Sequence, residues 1–467
     1  GDSDVIVLKI KDEKGEEKPY IPSTSITGAL KHHFENYNYL GSEKNYVENK
    51  RWFWGGEYLD KKKGEDIRRS CQSSLIISDL YLADNSSAHI SIRDGIRLNS
   101  PTGVVEDKAK FDYEIVEAGA LFDFNMEVLI KKAFNEELFY SFSSWIINEL
   151  SSGNFTLGAK TGQGFGQVIL EEIELYIFDY SKKEDIIAWL CDDYQHNKKD
   201  IKELVNLKLF VKKTSSFAIK TKMILKNSLI IGAYSGDVEG TDKEFLKSSN
   251  SDGERVPVLP GTSIRGAIRA RAEKIINTLG GNGAELVKSL FGWVDNSQAE
   301  DKENPIKGRI LVKEKYLDLK YFVEEIQHRI RIDRFTGGVI DGALFDSMPL
   351  WPKPDESVVE IEFLIKDYKP WEAGLMLLVL KDLWLGDLAI GGEKGIGRGV
   401  FQGKSAVISL ADEKIVIEEG KNSLLVYKLK DKPGWDEEAA ATLEQLVEAF
   451  HAELSVNDLP KVGEGNC

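Results

Sequence analysis

The chain carries one domain twice, and this duplication constrains the fold more than any other feature. Residues 19–31 read PYIPSTSITGALK, and residues 256–269 read VPVLPGTSIRGAIR. Pro22 and Pro260 stand 238 positions apart (260 − 22). Asp4 with Asp242, Lys9 with Lys247, Ser25 with Ser263 and Gly28 with Gly266 repeat that spacing. Downstream, Thr102 and Gly103 match Thr336 and Gly337 at 234 positions, as Asp107, Phe111 and Asp112 match Asp341, Phe345 and Asp346. EVLIK at 127–131 matches EFLIK at 362–366, and Gly162, Gly164 and Gly166 match Gly395, Gly397 and Gly399. Landmarks in one order at nearly one offset mark an internal repeat. Two like domains are therefore expected, at 1–205 and 206–410, with an extension at 411–467.

Within each copy the elements follow from periodicity. Residues 5–10, 73–82, 120–130 and 217–231 read as strands, and 24–39 and 136–150 as helices. HISIRDGIRL at 89–98 sets Ile90, Ile92 and Ile96 against Arg93 and Arg97, which suits a sheet with one wet face. Residues 99–112 are turn-rich and charged, a protruding loop or hairpin in which Pro101 argues against a central strand. HRIRIDRFTGG at 328–338 echoes it. Lys61–Lys63 and Arg68–Arg69 form a basic patch, expected in a loop. The glycines within 158–170 lead into a further strand, and the polar stretch 179–205 joins the halves. After short strands at 405–409, 414–418 and 423–429, a helix at 435–454 lines up Leu443, Leu446, Val447, Phe450 and Leu454 for packing on the second domain or on a neighbour. The strand at 217–231 has no counterpart before Asp4. Either the first domain has lost its opening strand or residues ahead of Gly1 supply it, and the second is the expectation because a half-domain would expose a sheet edge.

Composition narrows the function. No apolar run approaches the roughly 20 residues that cross a bilayer, so no membrane partner is expected. Cys71, Cys191 and Cys467 are far apart without metal spacing, which points to a reducing, cytoplasmic setting and no cysteine zinc site. A net charge of −16 argues against a simple nucleic-acid binder. Residues 401–467 hold 7 Lys/Arg against 13 Asp/Glu, however, and clustered cations elsewhere can still line a positive groove.

The repeated stretch suits an anionic ligand. Gly261, Thr262 and Ser263 open a helix bearing Arg265, Arg269, Arg271 and Lys274, and Ser23, Thr24, Ser25 and Lys31 hold the matching places. A helix start offers unpaired N–H groups and the positive dipole end, and Arg265 and Arg269 share a face. The same residues also fit a solvated basic helix with an ordinary cap. Gly162, Gly164 and Gly166, and Gly395, Gly397, Arg398 and Gly399, precede strands, whereas dinucleotide glycines follow one. Ala159 in GNFTLGAKT stands where a phosphate-binding loop needs Lys. These glycines either admit a polynucleotide backbone or make tight turns. His32 and His33 match Ala270 and Arg271, so no histidine base belongs to the repeated plan, and His328 reads as a satisfied strand residue. Asp4 and Asp242 do recur, at the mouth of the helix, as a base, a metal ligand or loop caps.

PYIPSTSITGALK and VPVLPGTSIRGAIR resemble the glycine–serine helix signature of the RAMP superfamily, IRIDRFTGG resembles its thumb segment, and GQGFGQV and GIGRGVF its glycine loop. The likeness is nearest to the repeating backbone subunits of type III CRISPR effectors, two of them fused. It departs in the first copy, where Ser23 replaces a glycine and SPTG replaces the thumb pattern. The resemblance implies an α+β fold: tandem ferredoxin-like, RNA-recognition-type domains, each with a palm and an inserted thumb hairpin, and a small C-terminal extension. It implies guide RNA along the palm, complementary target RNA, other type III effector subunits as partners, and thumbs that splay the duplex through Arg97, Thr102, Arg331, Arg334, Phe335 and Thr336. It further implies that Asp4 and Asp242 cut the target with Mg2+ or another divalent ion, by attack of the adjacent 2′-hydroxyl that leaves a cyclic phosphate. An inert guide-RNA scaffold and a standalone guide-precursor nuclease stand as alternatives; the latter wants a histidine that the repeat does not offer.

Overall fold

Ser216–Leu225, SFAIKTKMIL, alternates strictly, and Phe217, Ile219, Thr221, Met223 and Leu225 are buried along one face. This strand is the spine of the second half. The computed structural model describes residues 3–457 except 42–44, 63–64, 100–101, 203–208, 214, 234–240, 295–303, 355–356, 412 and 422. Lys63, Pro101 and Cys467 therefore lie outside the described residues. The spine pairs antiparallel with Val358–Lys366 on one side and Phe401–Ser409 on the other. Ile310–Val312 adds beyond the first neighbour, and Lys414–Glu419 and Leu424–Lys428 extend the sheet beyond the second. Helix Gly261–Thr278 follows the spine strand, and helix Pro370–Leu385 lies between Val358–Lys366 and Phe401–Ser409. The order β-α-β-β-α-β with the first strand central is a ferredoxin-like α+β domain.

Helix Gly261–Thr278 forms because Pro260 sets an extended entry and Ile264, Ala267, Ile268, Ala272 and Ile276 recur on one stripe, all buried. In the C-terminal extension, Glu437–Asn457 is the expected amphipathic helix. It lies on Pro370–Leu385, with Phe450 and Leu454 sunk in the second-half core and Leu443, Leu446 and Val447 against it.

The first half has its own aromatic core. Ile26, Leu30 and Phe34 of helix Ser23–Phe34 pack with Phe53 and Trp54 and with Leu138, Phe139, Phe142 and Trp145 of helix Glu136–Ser151. The first helix stops at Phe34, short of the expected Tyr39, because Tyr37–Tyr39 pairs with Phe210–Lys212 and draws the chain back after the junction. The junction itself carries helix Lys183–Leu190 and a short ladder, Leu175–Tyr176 on Lys198–Lys199. Of the basic patch, Lys61, Lys62, Arg68 and Arg69 lie on strands and not in a loop: Gly56–Lys62 and Glu65–Cys71 form an antiparallel hairpin. The strand expected at 120–130 is confined to Met126–Val128, paired with Leu75–Ile77. After the glycines, residues 168–174 carry no strand, and pairing resumes only at Leu175–Tyr176.

The halves meet through a buried polar cluster. Arg93 donates to Glu314 at 2.5 and 3.0 Å and to Ser248 Oγ at 2.6 Å, while Ser248 and Ser91 donate to Glu117. The first glycine turn completes the contact. A Cβ on Gly164 would strike the backbone N–H of Glu314, and one on Gly261 would strike the carbonyl of Gln163. Both glycines let two backbones approach.

Candidate nucleic-acid interface

Each half projects a two-stranded hairpin: Ile90–Leu98 with Val105–Val116, and Gln327–Ile332 with Val339–Ser347. Their tips are built alike. Asn99 Oδ1 accepts from the N–H and hydroxyl of Thr102, and Asp333 Oδ1 accepts from the N–H groups of Phe335 and Thr336 and from the Thr336 hydroxyl. A short side-chain acceptor closing the turn two to three residues on is the Asx geometry that Asn and Asp favour. Arg331 and Arg334 are exposed, and Phe335 is 98 % exposed. A phenyl ring held out by a rigid turn gains nothing for folding and offers a stacking face. Arg97 is exposed and faces Glu106 at 3.7 Å.

Asp4 and Asp242 sit at the bases of these hairpins in one geometry. Asp4 Oδ2 accepts from the Asp112 N–H at 3.0 Å, and Asp242 Oδ2 accepts from the Asp346 N–H at 3.0 Å. Val5 bridges Tyr113 in parallel, as Lys243 bridges Ser347. Both carboxylates are exposed. Lys9 and Lys247 are paired with Glu114 and Glu324, at 3.0 and 2.8 Å. The surroundings then diverge. In the first half Asp94 lies across from Asp112, and its hydrogen bond and charge, with a smaller push from Asp4, raise the Asp112 carboxyl. In the second half His328 takes the place of Asp94 and sets Nδ1 2.7 Å from Asp346 Oδ1. His328 is thus an exposed partner of the site, a role its position in an alternating strand did not disclose.

A cavity of about 390 Å³ opens at the second site, lined by Asp242, Lys243, Arg329, Phe345, Asp346 and Glu393. Burial works to raise the Glu393 carboxyl, but Arg329 at 2.5 Å, with Lys243 and Arg398, holds it below its ordinary value. Arg398, expected on the RNA, is 2 % exposed and ion-paired to Glu393 at 2.9 Å, with Gln327 also accepting from it. It braces the hairpin base.

The helix starts are less open than their sequence implies. The Ser23 N–H donates to Asp79 Oδ1 at 2.7 Å, so the protein supplies the anion there, while Thr24 and Ser25 are exposed. Gly261 is buried under the first glycine turn, with Thr262 and Ser263 half-buried beside it. Lys31 donates to the Gly55 carbonyl at 2.9 Å, and Arg265 donates to the Phe291 carbonyl at 2.6 Å. Each cation closes the end of the next helix, Tyr46–Trp54 or Gly283–Phe291. Burial, then repulsion from Arg269, lowers the Arg265 guanidinium to about 10. Arg269 itself is half-buried.

The glycine loops also divide. Gly162 and Gly164 face the second half's strand Ile310–Val312, whereas Gly395 has open space on its Cβ side and Gly397 meets only Asn227. Gly166 and Gly399 make twin turns against the carbonyls of Leu157 and Ile390.

Among the described residues no three His, Cys, Asp or Glu side chains converge as a metal site. Mg2+ commonly takes one or two carboxylates and fills its shell with water and phosphate oxygens, a donor set that Asp242 and Asp346, or Asp4 and Asp112, fit in the company of RNA. No helix among the described residues is long and apolar enough to cross a membrane.

A family model described as the RAMP superfamily matches residues 1–169 and 223–402, one region in each half. No curated protein matches the chain.

Proposed function

The chain belongs to the RAMP superfamily, with two such domains in one polypeptide, and from that premise we propose that it is a guide-RNA-binding backbone subunit of a type III CRISPR effector with one RNA-cutting site per domain. Family membership supports the coarser part, CRISPR-associated RNA binding. The observation that carries the rest is the twin geometry of Asp4 and Asp242, each anchored to the base of a hairpin by one backbone N–H. A carboxylate fixed there lies beside any RNA that the hairpin holds open. Exposed Arg331, Arg334 and Phe335 suit the holding of open RNA, because cations grip phosphates and the ring stacks on an unpaired base.

In this reading the target strand is splayed so that its 2′-oxygen, phosphorus and 5′-oxygen approach a line. The O2′–P bond forms as the P–O5′ bond breaks, leaving a 2′,3′-cyclic phosphate and a 5′-hydroxyl. The 2′ proton passes to the Asp4 or Asp242 carboxylate, directly or through water, and the leaving oxygen is protonated by solvent. The Asp112 and Asp346 N–H groups hold the carboxylates in place. A bound Mg2+ would supply charge neutralisation at the phosphate.

The same hydrogen bonds favour a second reading, a guide-RNA scaffold in which both aspartates only cap the hairpins. Incubating the assembled complex with guide-matched RNA, with and without Mg2+, separates the two. Regular metal-dependent cuts support the first reading, and intact RNA that stays bound supports the second.

A further inference from the structure

The glycine turns of the two halves share a backbone but carry opposite charges. Lys160 and Glu393 stand 233 positions apart (393 − 160), the offset of the glycines beside them. Each holds φ at 56° and leads into one turn of 3-10 helix. In the second half Glu393 lines the same cavity as Asp242 and gathers the cations around it. Arg329 lies 2.5 Å from it, Arg398 2.9 Å and Lys243 3.7 Å. Arg329 also lies over the Phe345 ring, 5.0 Å from its centroid.

The first half builds that place from other residues. Phe111 is the counterpart of Phe345, but Gly95 stands across the ladder from it where the second half has Arg329. Val5 and Phe165 replace Lys243 and Arg398. Arg93 is committed to Glu314. The remaining cation is Lys160, whose Nζ lies 4.3 Å from the Phe111 centroid and 4.0 Å from that of Tyr113. No carboxylate among the described residues pairs with it. Phe111 and Tyr113 flank Asp112, whose N–H pins Asp4. Ring faces attract an ammonium without neutralising it. Burial lowers the Lys160 ammonium from its ordinary value, so it is partly stripped of water before any phosphate arrives.

We propose that Lys160 is a catalytic residue of the first site alone, an ammonium that binds a non-bridging oxygen of the phosphate cut beside Asp4. The role rests on Asp4 being an RNA-cutting residue. Negative charge gathers on that oxygen as the 2′-oxygen adds to phosphorus, and a placed cation with no carboxylate of its own stabilises it. No proton leaves Lys160. In the second half the matching point presents the carboxylate of Glu393, so Asp242 works without this contact.

The test compares complexes carrying the parent chain, Lys160→Gln or Lys160→Arg on end-labelled, guide-matched RNA with Mg2+. Asp4→Asn identifies which product belongs to the first site. Lys160→Gln should slow the first cut at saturating RNA by about 10- to 100-fold, the loss of one charged hydrogen bond, while the second cut and target affinity stay within about twofold. Lys160→Arg keeps the cation and should restore most of the rate. A first cut at the parent rate in Lys160→Gln, or both cuts slowed alike, overturns the role while the cutting reading stands. A first cut as slow in Lys160→Arg as in Lys160→Gln also overturns it, and makes Lys160 a support of the turn. RNA left intact by the parent chain itself removes the cutting reading and the role with it.

Discussion

Replacing Arg93 with Ala tests what holds the two halves, and hence their two sites, at a fixed spacing. Arg93 is 4 % exposed and serves Glu314 in a bidentate pair, with Ser248 linking it to Glu117, itself 5 % exposed. The substitution leaves the buried Glu117 and the half-buried Glu314 carboxylates together at the interface without their cation. Breaking a buried pair by removing one partner costs about 3–5 kcal/mol, most of it the stranded charge. The interface should therefore open roughly two to four orders of magnitude more often. Amide exchange at Thr161–Gly164 and Ile310–Val312, which pack on each other, reads that opening against urea. Replacing the cluster as a unit, Arg93→Met with Glu314→Leu and Glu117→Gln, should restore most of the loss, because no charge is then stranded. A shift below about 1 kcal/mol for Arg93→Ala would refute the reasoning.

Three further outcomes follow from the contacts. Phe335→Ala should leave the melting temperature unchanged, since the ring is 98 % exposed, yet weaken RNA binding by about 1–3 kcal/mol; equal affinity in a filter-binding titration would remove the stacking role. Arg265→Ala should lower stability by about 1–3 kcal/mol through the orphaned Phe291 carbonyl, whereas Arg269→Ala should spare stability and flatten the salt dependence of RNA binding; the reverse pattern in urea and salt titrations would reject this division. Burial works to raise the Glu149 carboxyl, but hydrogen bonds from His33 and Tyr37 hold it below its ordinary 4.5. A depressed carboxyl contributes stability above that ordinary value and loses it as pH falls through the lowered one, so Tyr37→Phe should shrink the acid-side loss measured by urea midpoints at neutral and acid pH.

The repeat made much of this molecule legible. Offsets alone paired Asp4 with Asp242 and Thr102 with Thr336, and the structure places both pairs at equivalent points of twin hairpins. The amphipathic stripe at Leu443–Leu454 likewise foretold the last helix and its packing. Partners distant in sequence were not legible. Nothing near Lys31 or Arg265 reveals that each is spent on the carbonyl end of a later helix, nor near Ser23 that Asp79 fills the dipole site. The glycines of the first loop announced a close approach. What approaches is the protein's own strand at Ile310–Val312, a tertiary fact that no local pattern encodes. Nor did the glycines disclose that residues 168–174 carry no strand and that pairing resumes only at Leu175–Tyr176.

The central claim is that Asp4 and Asp242 each cut RNA rather than merely cap a hairpin, and isosteric substitution addresses it most directly. Asp4→Asn and Asp242→Asn each keep a side-chain oxygen that can accept from the Asp112 or Asp346 N–H, and each removes the charge that a base or metal ligand needs. The measurement is the product pattern of end-labelled, guide-matched RNA incubated with Mg2+ and the complex carrying the parent chain, either single variant or both. Each single substitution should slow one cut by about 10²-fold or more while the other proceeds, and the double variant should leave both positions intact with target still bound. A double Asn variant that yields every product at the parent rate would contradict the account and leave both aspartates as hairpin caps.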